Sequence, residues 1–155
     1  MNHLQPIIRL PGEGDTVMVK GNSMTYKAHS AETGGMWSFV HYIAPSRFTP
    51  APPHIHDFLT EIYYVLDGTL SVQLGNKHVE ASGGTFISIP PDLVHTVSNN
   101  SPDPAEFLLF LSPGGFEHLF NEMAQLSDET SGQASSSSKR STTQAKYDIR
   151  FPDDT

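Results

Sequence analysis

PPHIHDFLTEIYYVLDG (residues 52–68) is the stretch on which the reading of this chain turns. It runs H-x-H-x4-E-x6-G through His54, His56, Glu61 and Gly68. A second stretch, GTFISIPPDLVHTVSN (84–99), runs G-x5-P-x4-H-x3-N through Gly84, Pro90, His95 and Asn99. Three imidazoles and one carboxylate are a natural ligand set for a first-row divalent metal. His54 and His56 stand two apart, so an extended strand points both to one face. Glu61 opens the next β-like run and shares its face with Tyr63 and Val65. His95 follows more than thirty residues later, just after Pro90-Pro91. Only a fold that lays distant strands side by side can gather all four, and a double-sheet β-barrel does so.

The flanking sequence agrees with an all-β body. Short β-like runs at 16–21, 22–30, 36–45, 60–68, 69–76, 77–81, 85–90, 95–99 and 106–112 alternate with turn signals. That spacing predicts a sandwich or barrel. Asp67-Gly68 reads as the turn of a hairpin joining 60–68 to 69–76, and Gly75-Asn76 as a second turn. The residues AETGG (31–35) read as a loop. Beyond Pro113 the pattern changes. Phe116, Leu119, Phe120, Met123 and Leu126 are spaced for a short amphipathic helix within 114–129, set as a lid on the outer face of the barrel or as part of a dimer contact. The run SGQASSSSKRSTTQ (131–144) is polar and low in complexity, as a flexible linker is. Tyr147, Ile149 and Phe151 then restore apolar character. The expected organisation is an N-terminal arm (1–16), a β-barrel with its helix (17–126), a linker (127–144) and a C-terminal docking segment (145–155).

The 155 residues suffice for one domain with a real core. Nine basic and 17 acidic residues leave a formal charge of −8, which disfavours nucleic acid and anionic membrane surfaces as partners. With no cysteine, disulfides, thiol nucleophiles and thiolate zinc sites are excluded. No segment approaches the ~18 apolar residues of a membrane span. The N-terminus lacks a charged n-region followed by an apolar h-region, so a cytoplasmic protein is expected.

The two ligand blocks carry a family resemblance. Over about residues 36–112 the chain resembles the cupin superfamily. Its first motif is G-x5-H-x-H-x3/4-E-x6-G and its second G-x5-P-x-G-x2-H-x3-N. Eight fixed positions match in order, with Phe48 and Asp92 standing where the motifs have glycine. Asp tolerates a left-handed backbone better than most residues, so the second change is mild. The resemblance implies an all-β double-stranded β-helix (jelly-roll barrel) with a short C-terminal helix. It implies one divalent transition metal ion held by His54, His56, Glu61 and His95. Fe, Ni, Mn, Cu and Zn suit that set about equally. It also implies a small-molecule substrate and a homodimer.

Within the superfamily the layout looks like the single-domain quercetin 2,3-dioxygenase-like proteins. The likeness includes Thr33-Gly34-Gly35 before an aromatic strand, the segment SPGGFE (112–117) and Tyr147. That implies a dioxygenase of phenolic or enolic compounds, with dioxygen as co-substrate and Glu61 as catalytic base. The same ligands would serve a non-oxidative isomerase, lyase or cyclase, or a barrel that binds a small molecule without converting it. Phe48, Tyr63, Phe86, Phe110 and His41 are the candidate pocket residues. For His41 a barrel role without ligand is the competing reading, and for Tyr63 ordinary packing. His3, His29, His78 and His118 read as surface or turn residues.

Overall fold

The computed structural model describes residues 4–48, 51–129 and 146–152. Nine strands form two antiparallel sheets among these residues. They are β1 (Asp15–Val19), β2 (Asn22–Ala28), β3 (Ser38–Ala44), β4 (Thr60–Asp67), β5 (Thr69–Leu74), β6 (Lys77–Ser82), β7 (Phe86–Ile89), β8 (His95–Ser98) and β9 (Ala105–Ser112). The larger sheet has the order β1-β2-β3-β9-β4-β7 and the smaller β6-β5-β8. The all-β double-stranded β-helix with one short helix expected from the sequence is the fold observed.

Alternation of side chains along each strand separates inside from outside. In β9, Ala105, Phe107, Leu109 and Leu111 are buried while the residues between them are half-buried. Register carries the same inner face across the sheet: Glu61 pairs with Leu111 and Ile89, and Tyr63 with Leu109 and Ile87. Val40 pairs with Leu109. Leu70 and Val72 of β5 and Ala81 of β6 close this core from the smaller sheet. Burying a Leu or Val of this kind contributes roughly 1.5–3 kcal/mol.

The hairpin expected at Asp67-Gly68 does not form. β4 pairs with β7 and β9, whereas β5 pairs with β6 and β8. Only Gly68 separates β4 from β5, and it is the corner at which the chain leaves one sheet for the other. Its φ is 75°, and a Cβ there would lie 2.5 Å from the Pro104 carbonyl oxygen. Glycine is required at that corner for space as well as for conformation. The turn at Gly75-Asn76 does join a hairpin, with Leu74 opposite Lys77. The segment read as a loop at 31–35 overlaps a short 3-10 turn, Ser30–Thr33.

The helix α1 runs His118–Glu129, starting later than the apolar stripe suggested and extending into the stretch expected as linker. Phe116 lies just before it, and Phe116, Phe120 and Ala124 pack against the barrel core. Phe116, Leu119 and Phe120 of the stripe therefore face inward, whereas Met123 is exposed. Glu117 anchors this junction with no exposed surface. Its Oε1 accepts the Ser30 N–H at 2.8 Å and its Oε2 the Gly115 N–H at 2.7 Å. Residues 130–144, which cover most of the expected linker, lie outside the described residues. No described helix is long and apolar enough to cross a membrane.

Candidate metal centre

Three elements meet at one end of the barrel interior. Residues 52–56 lie beside β8, where the His54 N–H donates to the His95 carbonyl at 3.0 Å and the His95 N–H to the His54 carbonyl at 2.9 Å. Glu61 projects from the inner face of β4. The approach to β8 passes through Asp92, whose φ of 64° is left-handed. Asp92 thus adopts the backbone for which the motif position favours glycine, and its N–H donates to the His56 carbonyl at 2.8 Å.

One potential ligand atom from each of His54, His56, Glu61 and His95 lies within 4.8 Å of all the others. His56, His95 and Glu61 are 1%, 2% and 4% exposed, and His54, half-buried, is the member nearest solvent. The imidazoles share one feature. Each Nδ1 faces a backbone carbonyl: His54 faces Pro52 at 2.9 Å, His56 faces Asp148 at 2.6 Å and His95 faces Leu93 at 2.8 Å. A carbonyl only accepts, so each Nδ1 carries the proton. In the neutral ring Nε2 is then a bare lone pair. The buried Nε2 atoms of His56 and His95 have no hydrogen-bond partner. They face Glu61 instead, at 3.2 Å from Oε1 and 3.6 Å from Oε2. Lone pairs aimed at a carboxylate repel unless a positive charge lies between them. The donor set, its burial and its orphaned nitrogens therefore fit a divalent transition ion.

Electrostatics give the same sign. Burial, helped by His95, holds the His54 imidazole down to about 4, so it is neutral at pH 7. Burial would raise Glu61, but positive charge at the His56 and His95 rings outweighs burial and holds the carboxyl below its usual range. Burial pulls the His95 ring down and the Glu61 contact outweighs it, so without a cation the carboxylate favours a proton on that ring, in the place a metal ion would take. The Tyr63 hydroxyl donates to Glu61 Oε2 at 2.5 Å, and burial and the Glu61 charge raise that phenol far above its ordinary value. Glu61 is thus ionised at neutral pH and favours a cation beside it.

Comparison with known proteins agrees with this architecture. The Cupin domain family matches residues 40–111, the span that holds all four ligand candidates. The chain thus carries a Cupin domain over that span, within a cupin-type barrel. The chain is 25% identical over 118 residues to quercetin 2,3-dioxygenase of Bacillus subtilis, covering 76% of this chain and 34% of that protein. It therefore spans about a third of the length of that relative. Among solved structures it is similar to KdgF from Halomonas sp. (TM-score 0.62, 22% identity, 74% of this chain and 99% of that one). It is also similar to a predicted oxalate decarboxylase from Thermotoga maritima (TM-score 0.55, 19% identity, 64% and 90%). Both structures support the cupin fold.

The candidate pocket residues are not all near the cluster. Tyr63 touches it through Glu61. Phe48 packs on the barrel core and bridges to Asn99. His41 and Phe110 occupy the outer face of the larger sheet, because Val40 and Leu109 take the inner one. His41 bonds there with Glu106, and Phe110 stacks on Trp37 with ring centroids 5.5 Å apart. Phe86 is 62% exposed, since Ile87 takes the inward position of β7. The actual neighbours of the cluster include residues that sequence reasoning left out of the pocket. The Phe116 ring meets His56 edge-on at 5.1 Å, and Tyr147 meets Phe116 at 6.4 Å. Both, with Phe58, Leu59, His118 and Asp148, line a cavity of about 630 Å³ that borders the surroundings of His56. Phe116 was legible only as part of a helical stripe, and nothing local marked Asp148.

Proposed function

We propose that this cupin is a metal-dependent dioxygenase of the quercetin 2,3-dioxygenase type, acting on a phenolic or enolic small molecule. The observation that carries the metal half of this reading is the locked tautomer of its imidazoles. Three Nδ1 protons go to backbone carbonyls, and the Nε2 atoms gather around an ionised glutamate. His54, His56, Glu61 and His95 would hold the ion. A bound divalent ion supplies Lewis acidity that lowers the pKa of a substrate hydroxyl and makes its enolate accessible. The likeness to the Bacillus subtilis enzyme supports the choice of chemistry.

The chain's own residues have definite tasks in this proposal. Glu61 accepts the substrate hydroxyl proton at Oε1, because Oε2 is engaged by the Tyr63 hydroxyl. Tyr63 keeps the carboxylate oriented and cannot itself deprotonate at neutral pH. His54, the half-buried ligand, marks the side on which the cluster meets solvent. Phe116 and Tyr147 give the adjoining open cavity aromatic surface suited to a flat phenolic ring, beside the polar side chains of Glu122, Lys146 and Asp148. The homodimer expected from the resemblance belongs to the same proposal, and sedimentation velocity reads it.

The experiment begins with elemental analysis of the purified chain. About one transition metal per chain is the expected result. A panel of flavonols and other enolic compounds is then assayed with an oxygen electrode. Oxygen uptake that matches substrate loss supports the proposal. Equal turnover in strict anoxia would replace it with the non-oxidative reading, an isomerase, lyase or cyclase using the same Glu61 base. Binding of a phenolic compound with no conversion would make the barrel a binding module.

A further inference from the structure

The residue that orients His56 comes from the far end of the chain. Asp148 has a left-handed backbone, φ 57°, and its main-chain carbonyl accepts the His56 Nδ1 proton at 2.6 Å. Its carboxylate is aimed at the same stretch. Oδ1 accepts the Asp57 N–H at 3.0 Å, and Oδ2 accepts the N–H groups of Phe58 and Leu59 at 2.8 and 3.1 Å. Two residues on, Arg150 pairs with Ile55, which stands between the two histidines. The Ile55 N–H donates to the Arg150 carbonyl at 2.8 Å and the Arg150 N–H to the Ile55 carbonyl at 2.9 Å. The Arg150 guanidinium reaches Asp57 at 2.7 Å. Tyr147 is 7% exposed beside Phe116 and donates to Glu122 at 2.7 Å, so the segment is packed as well as hydrogen-bonded.

We propose that Asp148 is a positioning residue for the metal centre: it clamps the 55–59 backbone and fixes the His56 ring so that Nε2 faces the cluster. This rests on the metal reading above and adds to it a dependence on a residue 92 positions away. The physical argument is one of tautomers. Without an acceptor at Nδ1, an imidazole exchanges between two neutral forms and rotates, and only one form and orientation presents Nε2 as a ligand. Hydrogen-bonded partners of this kind are worth about 10–100-fold in metal affinity. The carbonyl belongs to the backbone and survives any substitution, but its location depends on the carboxylate. Three N–H groups hold that carboxylate, and an amide in its place can accept from them with one oxygen only.

Asp148→Asn is the informative variant, because Asn tolerates the left-handed backbone as Asp does. Asp148→Gly removes the carboxylate and keeps the same backbone freedom. Two measurements are made on each full-length chain. Titration with Co²⁺ and Zn²⁺ gives affinity and stoichiometry, and ¹⁵N imidazole NMR of the metal-free chain gives the tautomer of each histidine. Affinity about 10–100-fold weaker at one ion per chain is expected. His56 alone should lose its pure Nδ1–H form, while His54 and His95 keep theirs. Affinity within threefold of the parent, or an unchanged His56 tautomer, overturns the proposal. Equal disturbance of all three rings overturns it too, by showing a general loosening. If the parent chain binds neither ion, the metal reading fails on its own, and the metal-free tautomer of His56 still decides whether Asp148 positions it.

Discussion

His41 and His56 each stand beside a glutamate, yet the two contacts are chemically opposite. His41 lies on the outer face of the larger sheet, with Nε2 2.6 Å from Glu106 Oε1 and side chains 26% and 41% exposed. There the carboxylate takes a ring proton directly, and water screens the pair. His56 lies inside, with Nε2 3.2 Å from Glu61 Oε1 and side chains 1% and 6% exposed. Its ring proton is already given to Asp148, so the nitrogen facing Glu61 has none to offer. Distance alone would class both as ion pairs. The partner of the other ring nitrogen separates a surface bridge from a cation site.

The largest effect is expected where the inner contact loses its charge. Glu61→Gln keeps the shape and one oxygen ligand but removes the anion and the base. Turnover should fall at least ~10²-fold, the low end for a general base, while most of the metal stays bound. Elemental analysis beside steady-state rates checks this. A variant that turned over at the parent rate would remove Glu61 from the chemistry.

His95→Ala comes next. It deletes a ligand whose Nε2 has no other partner and whose ring is buried. Metal content should drop to half or less of the parent value, with the far-ultraviolet spectrum unchanged. Full metal content would reject His95 as a ligand and leave the inner cluster no different in kind from the outer pair.

What could be read from the sequence divides along the same line. The ligand blocks were legible because a period of two puts His54 and His56 on one face and the loop before His95 carries its own turn chemistry. Asp92 was read as a tolerable stand-in for glycine, and it does adopt the left-handed backbone. The same period of two made His41 a pocket candidate, but it cannot say which face of a strand is inside. That depends on register with β9, where Val40 meets Leu109. Gly68 misled for a similar reason. An Asp-Gly pair signals a hairpin locally, and only the Pro104 carbonyl against the missing Cβ marks it as a corner between sheets. The Asp148 contact was illegible because no local pattern encodes a backbone carbonyl arriving from 92 residues away.

Glu117 extends the comparison to a buried glutamate beside no histidine lone pair. Burial alone would raise its pKa, but the hydrogen bonds from Ser30 and Gly115 outweigh burial and lower it. A folded-state pKa below the unfolded one stabilises the fold above the unfolded value, and that contribution is lost as pH falls through the folded one. Glu117→Gln places an amide N–H against a backbone donor and should cost about 1–3 kcal/mol at pH 7. The gap between parent and variant in urea unfolding should narrow as pH drops below about 4.5. A gap that stayed constant to acid pH would mean the carboxylate charge is irrelevant there.

The smallest effect belongs to His41, and its smallness is the test. His41→Gln removes an imidazole from the outer face, where its neighbours across the ladders are Thr25 and Leu108. The Glu106 carboxylate left behind is 41% exposed and can be hydrated, so no buried charge is stranded. Exposed pairs of this type contribute about 0–1 kcal/mol, and salt reduces even that. Metal stoichiometry and affinity should equal the parent's, and stability should change by less than about 1 kcal/mol. The inner contact obeys another rule, because removing one member of a buried, converging set strands the rest in a medium that cannot solvate them. If His41→Gln lowered metal affinity as His95→Ala is expected to, a ring on the wrong face of a sheet would be acting on the cluster. The account of which histidines matter would then have to rest on something other than which way each strand faces.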